Sequence, residues 1–185
     1  MISSVRHAFT VHDYARMRTS GILGEDDRVE LIDGAVRAMS PIGPLHVALV
    51  NRLTALFAQA LGPAAIVSVQ NPIQLNEYTG PQPDLTVLAP RDDWYGSALP
   101  TPDDVLLVVE VADSSLAYDR DEKVPRYAAS GIAEVLIVDP AAATITQYSQ
   151  PRNGHYRTMQ TSDYDAQITA ETLPGVTLSV AQILG

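Results

Sequence analysis

The chain has 185 residues, with 22 acidic against 12 basic side chains, a net charge of −10 at pH 7, 46% hydrophobic residues and 18% charged ones. That length suits one domain able to bury about 70% of the surface its unfolded form exposes, the composition excludes disorder, and the negative field repels phosphate backbones, so any nucleic-acid contact has to be local. No cysteine is present, which excludes disulfides, thiolate metal sites and thiol nucleophiles. The N-terminal stretch lacks the apolar core of a signal peptide and no later run approaches about 18 apolar residues, so a soluble, cytoplasmic protein is expected.

Taken in chain order, Thr10-Val11-His12-Asp13 reads as an N-cap followed by an acid three residues on, predicting a short helix to about Arg18 that Gly21 and Gly24 end. Residues 28–32 and 35–39 are short apolar-rich runs around Asp33-Gly34, the signature of a two-residue hairpin. Glu30 falls in the first of these strands, where a solvent-facing position is the plain alternative to a functional one. After the Ser40-Pro41-Ile42-Gly43-Pro44 break, Leu45, Leu49, Leu53, Leu56, Phe57, Ala60 and Leu61 recur at helical spacing up to Gly62-Pro63. His46 lies in the first turn of this helix, one position off the apolar stripe. It reads either as an uncommitted surface histidine or as a polar side chain offered to an anion.

Residues 65–69 and 73–75, divided by Gln70-Asn71-Pro72, predict a bent or interrupted strand. A loop over 77–83 leads to a strand over 84–88 with Asp84 at its entrance, then to an exposed connection over 89–104. Val105 to Val109 is a continuous apolar run, the pattern of a central strand covered on both faces, and Glu110 follows it directly. From Asp119 the period becomes helical and runs to Gly131, with Pro125 either delaying the regular helix until near Val124 or kinking it. Residues 135–138 form the next buried strand, and the strand–helix–strand order predicts a right-handed crossover with the two strands parallel. The segments 144–149, 155–160 and 176–178 read as a hairpin and an edge strand. Nothing repeats, and a single domain over 1–185 is expected.

Three acids stand at strand positions: Glu30, Asp84 and Glu110. Burying a carboxylate unpaired costs several kcal/mol, so Glu110 requires a partner. Two carboxylates about 4 Å apart repel by roughly 4 kcal/mol at an effective dielectric near 20, which a divalent cation or a shared proton relieves. Oxygen ligands without cysteine or clustered histidine favour Mg²⁺ or Mn²⁺ over zinc. Lys123 is the single lysine among the 12 basic residues, and it follows Asp119-Arg120-Asp121-Glu122. A compact ammonium kept where arginine serves everywhere else suits the stabilisation of developing phosphate charge, with a metal-bound water as nucleophile.

Pro83-Asp84, Glu110-Val111, Asp113-Ser114-Ser115-Leu116, Tyr118-Asp119-Arg120 with Lys123, Tyr127-Ala128, Gly131-Ile132 with Glu134, and Val138-Asp139 resemble the Uma2 family, also called DUF820. With Glu30-Leu31-Ile32-Asp33-Gly34, Ser40-Pro41, His46 and Gln70 the resemblance covers nearly the whole chain. It implies the PD-(D/E)XK nuclease superfamily and an α/β (α+β) fold with a restriction-endonuclease-like mixed central sheet flanked by helices. It also implies that Asp84, Glu110 and the Val111 carbonyl bind Mg²⁺ or Mn²⁺, with Glu30, the acid of the first motif, binding a second ion or ordering a water. The signature lysine is expected two residues after Glu110, where this chain has Ala112, and the resemblance implies that Lys123 on the following helix replaces it. His46, Gln70, Asp119 and Tyr127 are placed as supporting residues, Asp119 reading equally as a helix N-cap. The function implied is a metal-dependent endonuclease acting on DNA as a homodimer, with Arg120 and Arg126 as a local basic patch. A non-catalytic dimeric or nucleic-acid-associated module of the same fold is the other reading.

Overall fold

The computed structural model describes residues 7–185. Helix α1 (Val11–Thr19) opens on the expected capping box, in which the Thr10 hydroxyl oxygen accepts from the Asp13 N–H and Asp13 accepts from the Thr10 N–H, both at 3.0 Å. Strands β1 (Val29–Ile32) and β2 (Ala35–Ala38) form the hairpin around Asp33-Gly34, with φ of 49° and 72° at the two turn residues. Two consecutive positive φ values make the tight turn whose twist suits a hairpin, and they explain the Asp-Gly pair. Helix α2 (Pro44–Leu61) follows and buries Leu49, Val50, Leu53 and Phe57.

Six strands make the main sheet: β3 (Ile66–Val69), β4 (Leu85–Leu88), β5 (Val105–Val111), β6 (Glu134–Asp139), β7 (Thr144–Arg152) and β8 (His155–Ser162), hydrogen-bonded in that order. Only β5 and β6 are parallel, as the crossover between them requires, and every other neighbouring pair is antiparallel. Alternation along β5 sends its residues to two different cores. Leu107, Val109 and Val111 pack with Leu49, Leu53 and Phe57 of α2 on one face. Val108 and Ala112 pack with Val124, Tyr127 and Ile132 on the other. Glu110 has the parity of the second face, so it points toward the crossover helix.

That helix differs from expectation at its start. It begins at Leu116, three residues before Asp119, as α3 (Leu116–Tyr118), passes through a π-helical turn over Asp119–Lys123 and continues as α4 (Val124–Ala129). Asp119 is thus inside the helical run and is no N-cap. The wide turn accounts for Pro125, because the Val124 N–H already bonds five residues back to the Asp119 carbonyl and the ladder is open where proline supplies no donor.

Two other expectations are corrected. Residues 73–75 do not continue β3: Gln70 takes φ 51°, the chain turns out of the sheet, and Ile73 and Leu75 donate to Pro81 and Thr79 in a loop. The last apolar segment does not form an edge of the main sheet. As β10 (Thr177–Ser179) it pairs with β9 (Gln167–Thr169) in a separate two-stranded sheet, and a final short helix α5 (Val180–Leu184) packs Val180 and Ile183 into the α2 side. The stretch 44–64, containing α2, does reach the length and apolar character of a membrane span, contrary to the sequence reading. Of that stretch 28% is buried, and Leu49, Val50, Leu53 and Phe57 form its single stripe in the core.

Candidate active site

The site is assembled where the start of β4, the end of β5, the β1–β2 hairpin and the α3–α4 segment meet. Ser115, Asp119, Lys123 and Tyr127 recur every four residues, and a helical segment brings such positions to one face. That face meets Glu110. The Lys123 Nζ lies 3.1 Å from Glu110 Oε1, 3.5 Å from Glu30 Oε2 and 3.8 Å from Asp119 Oδ1. Tyr127 Oη donates to Glu110 Oε1 at 2.6 Å, Ser115 donates to Asp119, and Tyr118 Oη donates to Glu30 Oε1 at 3.0 Å. The Gln82 N–H completes the shell of Glu30 at 3.0 Å from Oε2.

Asp84 and Glu110 are tied across the β4–β5 pair. The Val111 N–H donates to Asp84 Oδ2 at 2.8 Å, and the Asp84 N–H approaches Glu110 Oε2 at 3.4 Å. The His46 Nε2–H donates to Asp84 Oδ1 at 2.9 Å, so the first turn of α2 is the second support of this carboxylate. His46 Nδ1 is buried without a partner. Glu30, Glu110, Asp119 and Lys123 are all less than 5% exposed and Asp84 is 8% exposed, which makes the cluster a buried charge network.

The electrostatics follow from that burial. Desolvation pushes the Glu110 carboxyl up to about 8, with Lys123 acting in the opposite sense and the charges of Asp119 and Asp84 adding to the rise. Desolvation likewise raises Asp119. Burial works to raise Asp84 too, but the bond and charge of His46 and the Val111 N–H hold it below the ordinary carboxylate range. Burial by itself would lower Lys123, and the carboxylates of Glu110, Glu30 and Asp119 overcome this and hold it firmly protonated.

These groups line a cavity of about 250 Å³ whose wall also includes Arg28, Met39, Ser40 and Pro41. Its donor set is chemically that of a hard cation: four carboxylates against one lysine leave negative charge in excess. Among the described residues no group of three or more His, Asp and Glu side chains is arranged so that it could hold a metal ion. Mg²⁺ is typically held by one or two carboxylates with waters completing its shell, so the Asp84–Glu110 pair suits it by type.

Of the sequence-predicted residues, Asp84, Glu110, Lys123, Glu30, His46, Asp119 and Tyr127 come together. Val111 contributes through its N–H, and its carbonyl accepts from the Asp113 N–H at 3.1 Å. Gln70 does not join them. It lines a neighbouring cavity, where its carbonyl accepts from Gln82 Nε2. Arg120 and Arg126 are each matched by acids, Arg120 Nε to Asp121 at 2.7 Å and Arg126 to Asp33 and Glu122. Sequence reasoning gave no role to Tyr118, Ser115 or Arg28. The four-residue recurrence was a signal for Ser115, whereas Tyr118, five before Lys123, reaches the site through the π-turn, which no local pattern announces.

A known crystal structure shares this arrangement of elements, one described as "a putative nuclease belonging to DUF820" from Anabaena variabilis ATCC 29413. It superposes with a TM-score of 0.74 over 95% of this chain and 97% of that chain, at 14% sequence identity. The fold is therefore nuclease-like, a mixed sheet flanked by helices, as the sequence resemblance implied. The family model of Uma2, described as "Putative restriction endonuclease", matches residues 11–181, and the chain belongs to the Uma2 family. No curated protein matches it.

Proposed function

We propose that this protein is a metal-dependent endonuclease hydrolysing DNA phosphodiester bonds. The observation that carries the reading is the approach of Lys123 Nζ to within 3.1 Å of Glu110 Oε1 in a cavity that also holds Asp84 and Glu30. Family membership and the nuclease-like fold support the same reaction class.

Asp84, Glu110 and the Val111 carbonyl would hold Mg²⁺ or Mn²⁺. Bound there, the ion would supply Lewis acidity toward a phosphate oxygen and lower the pKa of a coordinated water. The protein's own contribution is positional. His46 and the Val111 N–H fix both oxygens of Asp84, Tyr127 orients Glu110, and Glu110, Glu30 and Asp119 together hold the ammonium of Lys123 at the cavity wall. From there the ammonium orients the attacking water or stabilises charge on the pentavalent phosphorus. Lysine suits this role because it is a compact point charge, whereas a guanidinium is a planar fork.

The test uses purified protein, supercoiled plasmid and Mn²⁺ or Mg²⁺, with Asp84→Ala and Lys123→Ala beside the wild type. Nicking or linearisation by the wild type alone is expected, and EDTA abolishes it. Wild-type cleavage no greater than that of either variant overturns the enzymatic reading. The net charge of −10 and the acid-matched arginines favour a second reading, a non-catalytic homodimeric module on the nuclease fold. Calorimetric titration with Mn²⁺ bears on the choice, since the absence of binding at Asp84 and Glu110 leaves only the second.

A further inference from the structure

Lys123 is surrounded by Glu110, Glu30 and Asp119. Lys123 serves the scissile position, and the carboxylates around it leave the cluster net negative, so attraction for the neighbouring phosphate has to come from another cation; the molecule as a whole repels one. Apart from Lys123, the one permanently charged cation on the cavity wall is Arg28. It immediately precedes β1, is half-buried, and forms no ion pair among the described residues. Of the other arginines nearby, Arg126 faces Asp33 and Glu122, Arg18 donates to the carbonyls of Gly24 and Asp27, and Arg37, opposite Glu30 across the hairpin, is exposed and lines neither cavity.

Arg28 also stands at a junction. A second cavity of about 600 Å³ lies beside the first, within the size range of small-ligand sites, and Arg28, Glu30 and Met39 line both. Gln70, Asn71 and Gln82, amides of the kind that hydrogen-bond sugar and base edges, line the second cavity, where Gln82 Nε2 donates to the Gln70 carbonyl and Asn71 Nδ2 to Ser68. Glu25 and Asp27 line it as well, which confines favourable anion binding to the Arg28 wall.

We propose that Arg28 binds the DNA phosphate adjoining the scissile one, where the strand passes from the acidic cavity into the larger cavity, which takes the flanking nucleotide. The inference rests on the nuclease reading and extends it to a strand path and a substrate-binding residue. A guanidinium suits the position because it grips a phosphate in a bidentate fork and stays charged in a partly buried setting.

The experiment is fluorescence anisotropy of a labelled duplex oligonucleotide with the full chain, Ca²⁺ replacing Mg²⁺ to hold back cleavage, at several salt concentrations. Arg28→Gln is expected to weaken binding about tenfold for any sequence and to make the slope of log K against log salt shallower by about 0.9, the loss of one phosphate contact. Arg28→Lys keeps the charge and is expected to restore the wild-type slope. Wild-type affinity and slope in Arg28→Gln overturn the inference while leaving the nuclease reading standing. So does weakened binding at unchanged slope, which marks a structural role. A wild-type protein that binds no duplex overturns the nuclease reading, and the inference with it.

Discussion

Lys123 and Glu110 are thirteen residues apart in the chain and 3.1 Å apart in the fold. The sequence resemblance leads to the expectation of a lysine at position 112, just past β5, which shares the parity of Glu110 and so faces the same side of the sheet. Here Ala112 leaves that position small, and the ammonium arrives from the crossover helix instead. Lys123→Met strands Glu110, Glu30 and Asp119 without a counter-charge, and a loss of about 3–5 kcal/mol is expected in urea unfolding. Lys123→Arg keeps the charge but not the shape. It is expected to fold with a smaller loss and to lower plasmid cleavage on the order of 100-fold.

Glu134 is fully buried at the start of β6, with the parity of Leu136 and Val138 and so on the face of the sheet opposite Glu110. Its oxygens accept from Gln147 Nε2, the Thr172 N–H at 2.9 Å and the Thr172 hydroxyl at 2.7 Å. This acid fastens the loop after β9 to the sheet. Glu134→Ala leaves those donors without an acceptor, and a destabilisation of about 2–3 kcal/mol is expected from the urea midpoint. Cleavage per folded molecule is expected to stay at the wild-type level.

Gly34 combines φ +72° with a close neighbour: a Cβ added there would meet the Ala8 Cβ at 2.6 Å and its Cα at 2.9 Å. Alanine would be strained by the backbone and would also displace the segment that crosses the hairpin. Gly34→Ala is expected to lower stability by about 1–3 kcal/mol from the φ strain, more with the clash, as read by thermal unfolding. Because the same hairpin carries Glu30, cleavage should fall as well.

Asp33 links the hairpin turn to α4 through Arg126, whose Nε donates to Asp33 Oδ2 at 3.1 Å. That bond is the main reason the Asp33 carboxyl sits below its ordinary 3.8. An acid with a depressed folded pKa binds fewer protons folded than unfolded around that value, so its stabilisation is complete above 3.8 and is lost as pH falls through the folded value. Thermal unfolding of wild type and Asp33→Asn between pH 7 and pH 2.5 should therefore show a gap that is constant near neutrality and closes below about pH 3.8. A gap independent of pH would rule the ion pair out as its source.

Elements with strong local signals were legible in the chain. The capping box at Thr10, the Asp33-Gly34 hairpin, the apolar stripe of α2 and the buried run of β5 each rest on a few neighbouring residues. The signals failed where long-range contacts decide. Residues 73–75 are apolar enough for a strand, but the turn at Gln70 takes them out of reach of β4. The 176–178 segment has strand character without anything local to say which sheet receives it.

The same division runs through the site. The sequence by itself determined the reagents: three strand-borne acids, one lysine with no second copy, and a carboxylate placed directly after an apolar run, because residue chemistry and short-range periodicity are written locally. Only the tertiary structure decided their partners. Strand parity turned Glu110 toward the crossover helix, and the π-turn brought Tyr118 and Lys123 to one side. Parallel pairing of β5 and β6 set that helix across the sheet face, and the first turn of α2 delivered His46 to Asp84. Each of these depends on where distant segments are packed, which no window of sequence contains.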